Sequence, residues 1–205
     1  MSAPKIDVQL ATRLLDVIAE DILPLTEESV GLGNKIFGAA LLKKSDFSTY
    51  LAETNNEIES PLHHGEMHLL KRYFEQDAAT RLPPSDLLFL TTHEPCSLCL
   101  SAITWSGFDN FYYFFSHEDS RDEFEIPHDL KILKEVFDVD PGQYRRANAF
   151  WDSHGIQDWF QGCKHSLQSH TQEELQTKIL AIKSRYVLAS DHYQSGKADN
   201  QIPLN

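Results

Sequence analysis

The sequence predicts a three-layer α/β domain. Short apolar runs of strand length alternate with amphipathic stretches of helix length, in the order α-β-β-α-β-α-β-α. Single helices separating the strands require a sheet covered by helices on its faces. A chain of 205 residues with 41% of them hydrophobic is long enough to bury one full core.

Each element has its own signal. Residues 6–22 (IDVQLATRLLDVIAEDI) place Leu10, Leu14 and Ile18 at helical spacing with Val17 beside them. Residues 35–42 (KIFGAALL) and 47–53 (FSTYLAE) read as two paired strands joined by KKSD. Residues 64–76 suggest a helix with Met67, Leu70 and Phe74 on one face. TRLPPSD interrupts the chain before an apolar strand at 86–92. Residues 97–108 read as a helix ended by Gly107, followed by a strand at 111–115 and a helix at 128–137. Residues 139–163 read as loop, with Tyr144, Phe150, Trp151, Trp159 and Phe160 expected as a satellite cluster, or else as a lid or dimer contact. A last helix spans 172–189, and the tail SGKADNQIPLN is expected to fray. The domain expectation is therefore a core at 1–138 and, at 139–205, an aromatic-rich segment and helix packing on that core or on a partner subunit.

Composition narrows the function. Eighteen Lys and Arg against 31 acids give a net charge of −13, with no basic run. Nucleic-acid backbones are gripped by clustered cations that displace counterions, so nucleic acid is not an expected partner. No apolar run is long enough for a membrane span, and MSAPKIDVQL lacks the pattern of a leader. Three cysteines argue against a disulfide scaffold and for a reducing, cytoplasmic location.

Two motifs carry chemistry. LHHGEMHLLKRYF (62–74) holds His63, His64, His68 and Glu66 within a few positions. Pro95-Cys96-Ser97-Leu98-Cys99 is a C-x-x-C, which alone fits a redox pair, half of a zinc ribbon, or chance. A ribbon needs a second pair, and the remaining cysteine, Cys163, stands alone. One buried strand separates the motifs, so each would sit at the start of a helix flanking that strand. One imidazole and two thiolates give Zn2+ three protein ligands and an open fourth position, the arrangement of a catalytic site.

The combination His64-x-Glu66 with Pro95-Cys96-x-x-Cys99 resembles the cytidine deaminase-like superfamily of zinc hydrolases, over roughly residues 34–137. The resemblance implies an α/β/α sandwich with a central mixed sheet, His64, Cys96 and Cys99 as zinc ligands, and Glu66 as the proton shuttle for attack by zinc-activated water. An H-E-x-x-H site is ruled out because Gly65 stands where its glutamate would be. His63 is then expected to orient His64 or face the site mouth, and His68 to pack behind it. Relatives carry alanine at the position of Gly65, and its N–H contacts substrate there; a more flexible helix start is expected here.

Further stretches are similar to the guanine deaminase-like branch. Asn34-Lys35-Ile36-Phe37-Gly38-Ala39 resembles N-x-P-F-G-A, whose phenylalanine stacks near the base, with Ile36 in place of proline. Asn55 of Thr54-Asn55-Asn56 matches an asparagine that contacts the ring, although its spacing to His64 is short and D-P-T-A is missing. Ser116-His117-Glu118-Asp119 resembles a segment whose aspartate is a second acid facing the purine. Phe37, Asn55, Gly65 and Asp119 are therefore the substrate contacts the resemblance implies. It also implies a small amino-heterocycle substrate, best a purine base or nucleoside, and a homodimer. Alternative readings are a cytosine or cytidine deaminase, a tRNA adenosine deaminase, and a catalytically silent zinc-binding partner subunit.

Overall fold

In the computed structural model, which describes residues 4–140 and 143–204, a five-stranded mixed sheet divides the domain. Residues 1–3 of the stretch read for a leader, and Asn205 of the tail, lie outside the described residues. α1 (Val8–Val17) begins behind Asp7, whose carboxylate accepts the Leu10 N–H at 2.8 Å. The helix expected over 6–22 then widens into a π-helical turn at Ile18–Ile22 and resumes as α2 (Leu23–Gly31). Pro24 sits in the first turn of α2, where its missing N–H costs least, and a proline at that place hid the continuation.

β1 (Gly38–Lys43) pairs antiparallel with β2 (Thr49–Thr54) and with β3 (Leu87–His93). β3 runs parallel to β4 (Asn110–Phe115), and β4 parallel to β5 (Asp152–Gly155), giving the order β2-β1-β3-β4-β5. α3 (Gly65–Glu75) precedes β3, and α4 (Ser97–Trp105) follows it. α5 (His117–Asp122), α6 (His128–Phe137), α7 (Ile156–Cys163) and α8 (Ser169–Gly196) complete the chain.

Alternation along the strands builds two cores. Ala39, Leu41, Phe89 and Phe111 pack with Leu69, Leu70 and Tyr73 of α3 and Ile103 of α4. Ala40, Leu42, Leu90 and Phe114 pack on the other face with α1, Val30 of α2 and Ile179, Ile182 and Tyr186 of α8. The expected three-layer sandwich with a mixed central sheet is what these faces form.

Four local expectations change. The inward stripe of α3 is Leu69, Leu70 and Tyr73, while Phe74 is 48% exposed; apolar residues flank both sides of this helix, so spacing alone fits either stripe. Residues 139–163 are not a satellite: β5 joins the sheet edge, Trp151 enters one core and Phe160 the other. The short polar DSHG shows no strand pattern because an edge strand needs no apolar run. Ser116 and Asp119 form a reciprocal capping box that starts α5, so the stretch likened to a substrate-acid segment is a helix start. The tail is held as far as it is described, with Asn200 Nδ2 donating to the Gly33 carbonyl at 2.9 Å and Ile202 buried.

Candidate metal centre

The two helices flanking β3 present their N-termini to one point. His64 is the N-cap residue of α3 and Cys96 that of α4, with Glu66 and Cys99 in the respective first turns. Cys96 Sγ accepts the Cys99 N–H at 3.5 Å, the usual role of a cap acceptor. His64 Nδ1 lies 3.5 Å from Cys96 Sγ and 3.8 Å from Cys99 Sγ. All three donor atoms fall within 4.8 Å of one another, the one such group among the described residues.

These spacings fit zinc. Bonds of ~2.0 Å to nitrogen and ~2.3 Å to sulfur at tetrahedral angles put the donors about 3.5 Å apart. Three protein donors leave one position of the tetrahedron for water or substrate.

The hydrogen bond from Cys99 and the His64 ring hold Cys96 well below the ordinary thiol range, against its burial. Burial, reinforced by the adjacent Cys96 thiolate, pushes Cys99 up. Burial opposes charge on His64, but the Cys96 hydrogen bond and thiolate raise it to about 9. Both helix N-termini add positive potential that favours the thiolates.

Glu66 is buried, and Cys99 Sγ donates to its Oε2 at 3.3 Å. Burial, then the Cys96 charge, raises Glu66 to about 7. A carboxyl poised there exchanges protons readily at neutral pH.

Gly65 has a specific steric reason. A Cβ at this position would lie 2.7 Å from the Gly38 Cα and 2.9 Å from the Gly38 nitrogen, so α3 starts directly against β1. The helix start is therefore confined by close packing rather than loosened by the glycine. Its N–H is given to Asn55 Oδ1, and Asn55 Nδ2 donates to Glu57 Oε2 at 2.9 Å. His68 is anchored at the end of β2, its Nδ1 2.9 Å from the Thr54 carbonyl, and His63 stacks beside it at 5.9 Å.

A cavity of about 360 Å³ opens beside the cluster, walled by Lys35, Phe37, Glu57, His64, Cys96 and Asp129 among others. It adjoins a recess of about 20 Å³ between Phe37, His64, Glu66, His93, Glu94, Cys96 and Asp129, room for about one water. A larger cleft of about 630 Å³, lined by Lys43, Phe47 and Leu82, lies away from the ligands, and the ligand cluster decides which cavity matters. Phe37 lines both the cavity and the recess. Asn55 and Gly65 are bonded to each other and do not line the cavity. Asp119 spends its carboxylate on the Ser116 N–H at 2.8 Å and is likewise absent from the wall.

Asp129, in the first turn of α6, lines both the cavity and the recess. Burial, then the Cys96 charge, raises it to about 7. Sequence reasoning missed it because an acid in a helix's first turn is ordinary dipole compensation. Lys35 and Glu57 were also missed; their side chains are 7% and 2% exposed and pair at 2.9 Å in the same wall.

Comparison with known proteins agrees with this geometry. Residues 19–115 match the family model described as the cytidine and deoxycytidylate deaminase zinc-binding region. That stretch is similar to the zinc-binding region of cytidine and deoxycytidylate deaminases. The match spans both His64 and the C-x-x-C motif and favours a deaminase zinc site there over the redox and zinc-ribbon readings. Among solved structures the chain is similar to a point mutant of the protein NE0047 in complex with 8-azaguanine, at 15% identity and a TM-score of 0.51, over 85% of this chain and 84% of that one. It is similar also to the guanine deaminase of Nitrosomonas europaea (16% identity, 90% and 86% coverage, TM-score 0.48). The guanine deaminase of Bacillus subtilis gives 20% identity, 75% and 95% coverage, and a TM-score of 0.49. No curated protein sequence matches the chain. Among the described residues, no helix is long and apolar enough to cross a membrane.

Proposed function

We propose that the protein deaminates a purine base or nucleoside, and that Asp129 is the acid facing the ring. The carrying observation is the placement of Asp129 on the cavity wall shared with His64 and Cys96. Bound at His64, Cys96 and Cys99, zinc supplies the Lewis acidity that makes water nucleophilic near neutral pH. Glu66 would carry one proton from the water to the ring nitrogen and a second from the added hydroxyl to the departing amine, so that water enters and ammonia leaves. Phe37 offers a ring face to the heterocycle. Asn55 and Gly65 act on the substrate indirectly in this reading, by fixing the start of α3 at the cavity edge.

The cavity suits one small molecule, at the low end of the roughly 300–1,000 Å³ of such sites. Its lysine is already paired with Glu57, which makes it a weak anchor for a phosphate. The similarly folded protein in complex with 8-azaguanine holds a purine analogue, in keeping with this choice. A reducing, cytoplasmic setting suits a site that depends on two thiolates. We read the molecule as a homodimer through α3 and α4, where Leu62, Met67 and Phe74 line a groove beside Trp105, which is 91% exposed. A monomeric mass in sedimentation would exclude the dimer.

Asp129→Asn tests the substrate assignment. A half-buried carboxylate accepts the amide and imidazole-edge N–H donors of a purine, and cytosine leaves it unpaired. Asp129→Asn is expected to lower kcat/KM for guanine or guanosine about tenfold or more and to change cytosine or cytidine little. Asp119→Asn should cost about 1 kcal/mol of stability through its capping box and leave that preference intact. Preference for cytosine in both proteins would overturn the purine reading.

A further inference from the structure

Glu94 occupies the turn between β3 and Cys96, and its side chain is fully buried. Its backbone N–H donates to the Phe115 carbonyl at 2.7 Å. Its Oε1 accepts the Tyr144 hydroxyl at 2.6 Å and faces Arg146 Nη2 at 3.1 Å. Its Oε2 accepts the His117 N–H at 3.1 Å. The His117 ring reaches the next carbonyl, that of Pro95, with Nε2 at 3.1 Å. Donors from α5 and from the segment before β5 therefore converge on the two residues that deliver Cys96.

Charge decides which of these matter most. A buried carboxylate is costly unless a cation answers it. Among the described residues, Arg146 is the Lys or Arg side chain that does so. The guanidinium is itself fixed, 5.5 Å over the Tyr113 ring and 3.6 Å from Asp158. Tyr144 packs against Trp151, which donates to Thr104 of α4 at 2.8 Å. Tyr144 and Arg146 both lie outside the matched zinc-binding region, which ends at residue 115.

We propose that Arg146 and Tyr144 are positioning residues for the metal centre, holding Cys96 in place by clamping the Glu94 carboxylate. Residues 143–146 then form an outer support of the ligand set, built from the part of the chain beyond the zinc motifs. The proposal rests on His64, Cys96 and Cys99 being the ligands. Outer supports of metal sites typically contribute roughly 10–100-fold in metal affinity.

The test measures zinc affinity of the full-length protein by competition with a chromophoric chelator, and the thiolate-to-metal absorption band after cobalt substitution. Arg146→Met is expected to weaken zinc binding roughly 10–100-fold and to shift the cobalt band. Arg146→Lys should recover most of both. Tyr144→Phe keeps the ring and removes only the hydroxyl, so it should fold and lose affinity several-fold in the same direction. It decides the matter if Arg146→Met does not fold. Wild-type affinity and an unchanged band in Tyr144→Phe and Arg146→Met would overturn the clamp. So would a lowered unfolding temperature in Arg146→Met with both metal readouts unmoved. A wild-type protein that binds neither metal overturns the ligand assignment itself, and the clamp with it.

Discussion

Glu66→Gln is expected to lower kcat by about 10²–10⁴-fold while the protein keeps its fold and its zinc. Glutamine preserves the shape and polarity at the first turn of α3, where Glu66 contacts Cys99 at 3.3 Å without belonging to the ligand triad. An amide cannot take a proton from water and return it to the ring. Burial holds the wild-type carboxyl near the pH at which it both accepts and donates. Ammonia release and zinc content measured on the same sample separate the two roles. Near-normal turnover would pass the proton-carrying role to another acid of the recess, Asp129 or Glu94.

Cys96→Ala has the second large expected effect, on metal content. The thiolate of Cys96 lies 3.5 Å from His64 Nδ1 and also caps α4 through the Cys99 N–H. Removing it leaves one imidazole and one thiolate, too few for a tightly held zinc. The variant is expected to fall from about one zinc per chain to nearly none after dialysis, with activity lost in parallel. Loss of the cap adds roughly 1 kcal/mol of destabilisation. Undiminished zinc in the variant would overturn the ligand assignment, since three protein ligands leave no spare.

The site divides by what kind of signal each residue carries. His64, Glu66, Cys96 and Cys99 are legible because their chemistry depends on local spacing at two helix starts, which the sequence states directly. Asp119 and Asp129 show the opposite. Both are acids at helix starts ten residues apart, and only the packing of α6 beside the ligands brings Asp129, and not Asp119, into the cavity. The stretch Ser116–Asp119 satisfies a substrate-acid motif and a capping box with the same letters, and the structure uses the capping box. Lys35 with Glu57, and Glu94 with Arg146, are pairs separated by 22 and 52 residues in the chain. Partners so distant have no periodicity to betray them. The fold followed the same division. Strands buried on both faces announced themselves as apolar runs, whereas the edge strand Asp152–Gly155 has none.

Ammonia release from guanine by the wild-type protein, with and without a zinc chelator, tests the central claim most directly. The account predicts release that the chelator abolishes and added zinc restores, at a kcat/KM about tenfold or more above that for cytosine or cytidine. Zinc-loaded, folded protein that frees no ammonia from any purine or pyrimidine base or nucleoside would contradict it.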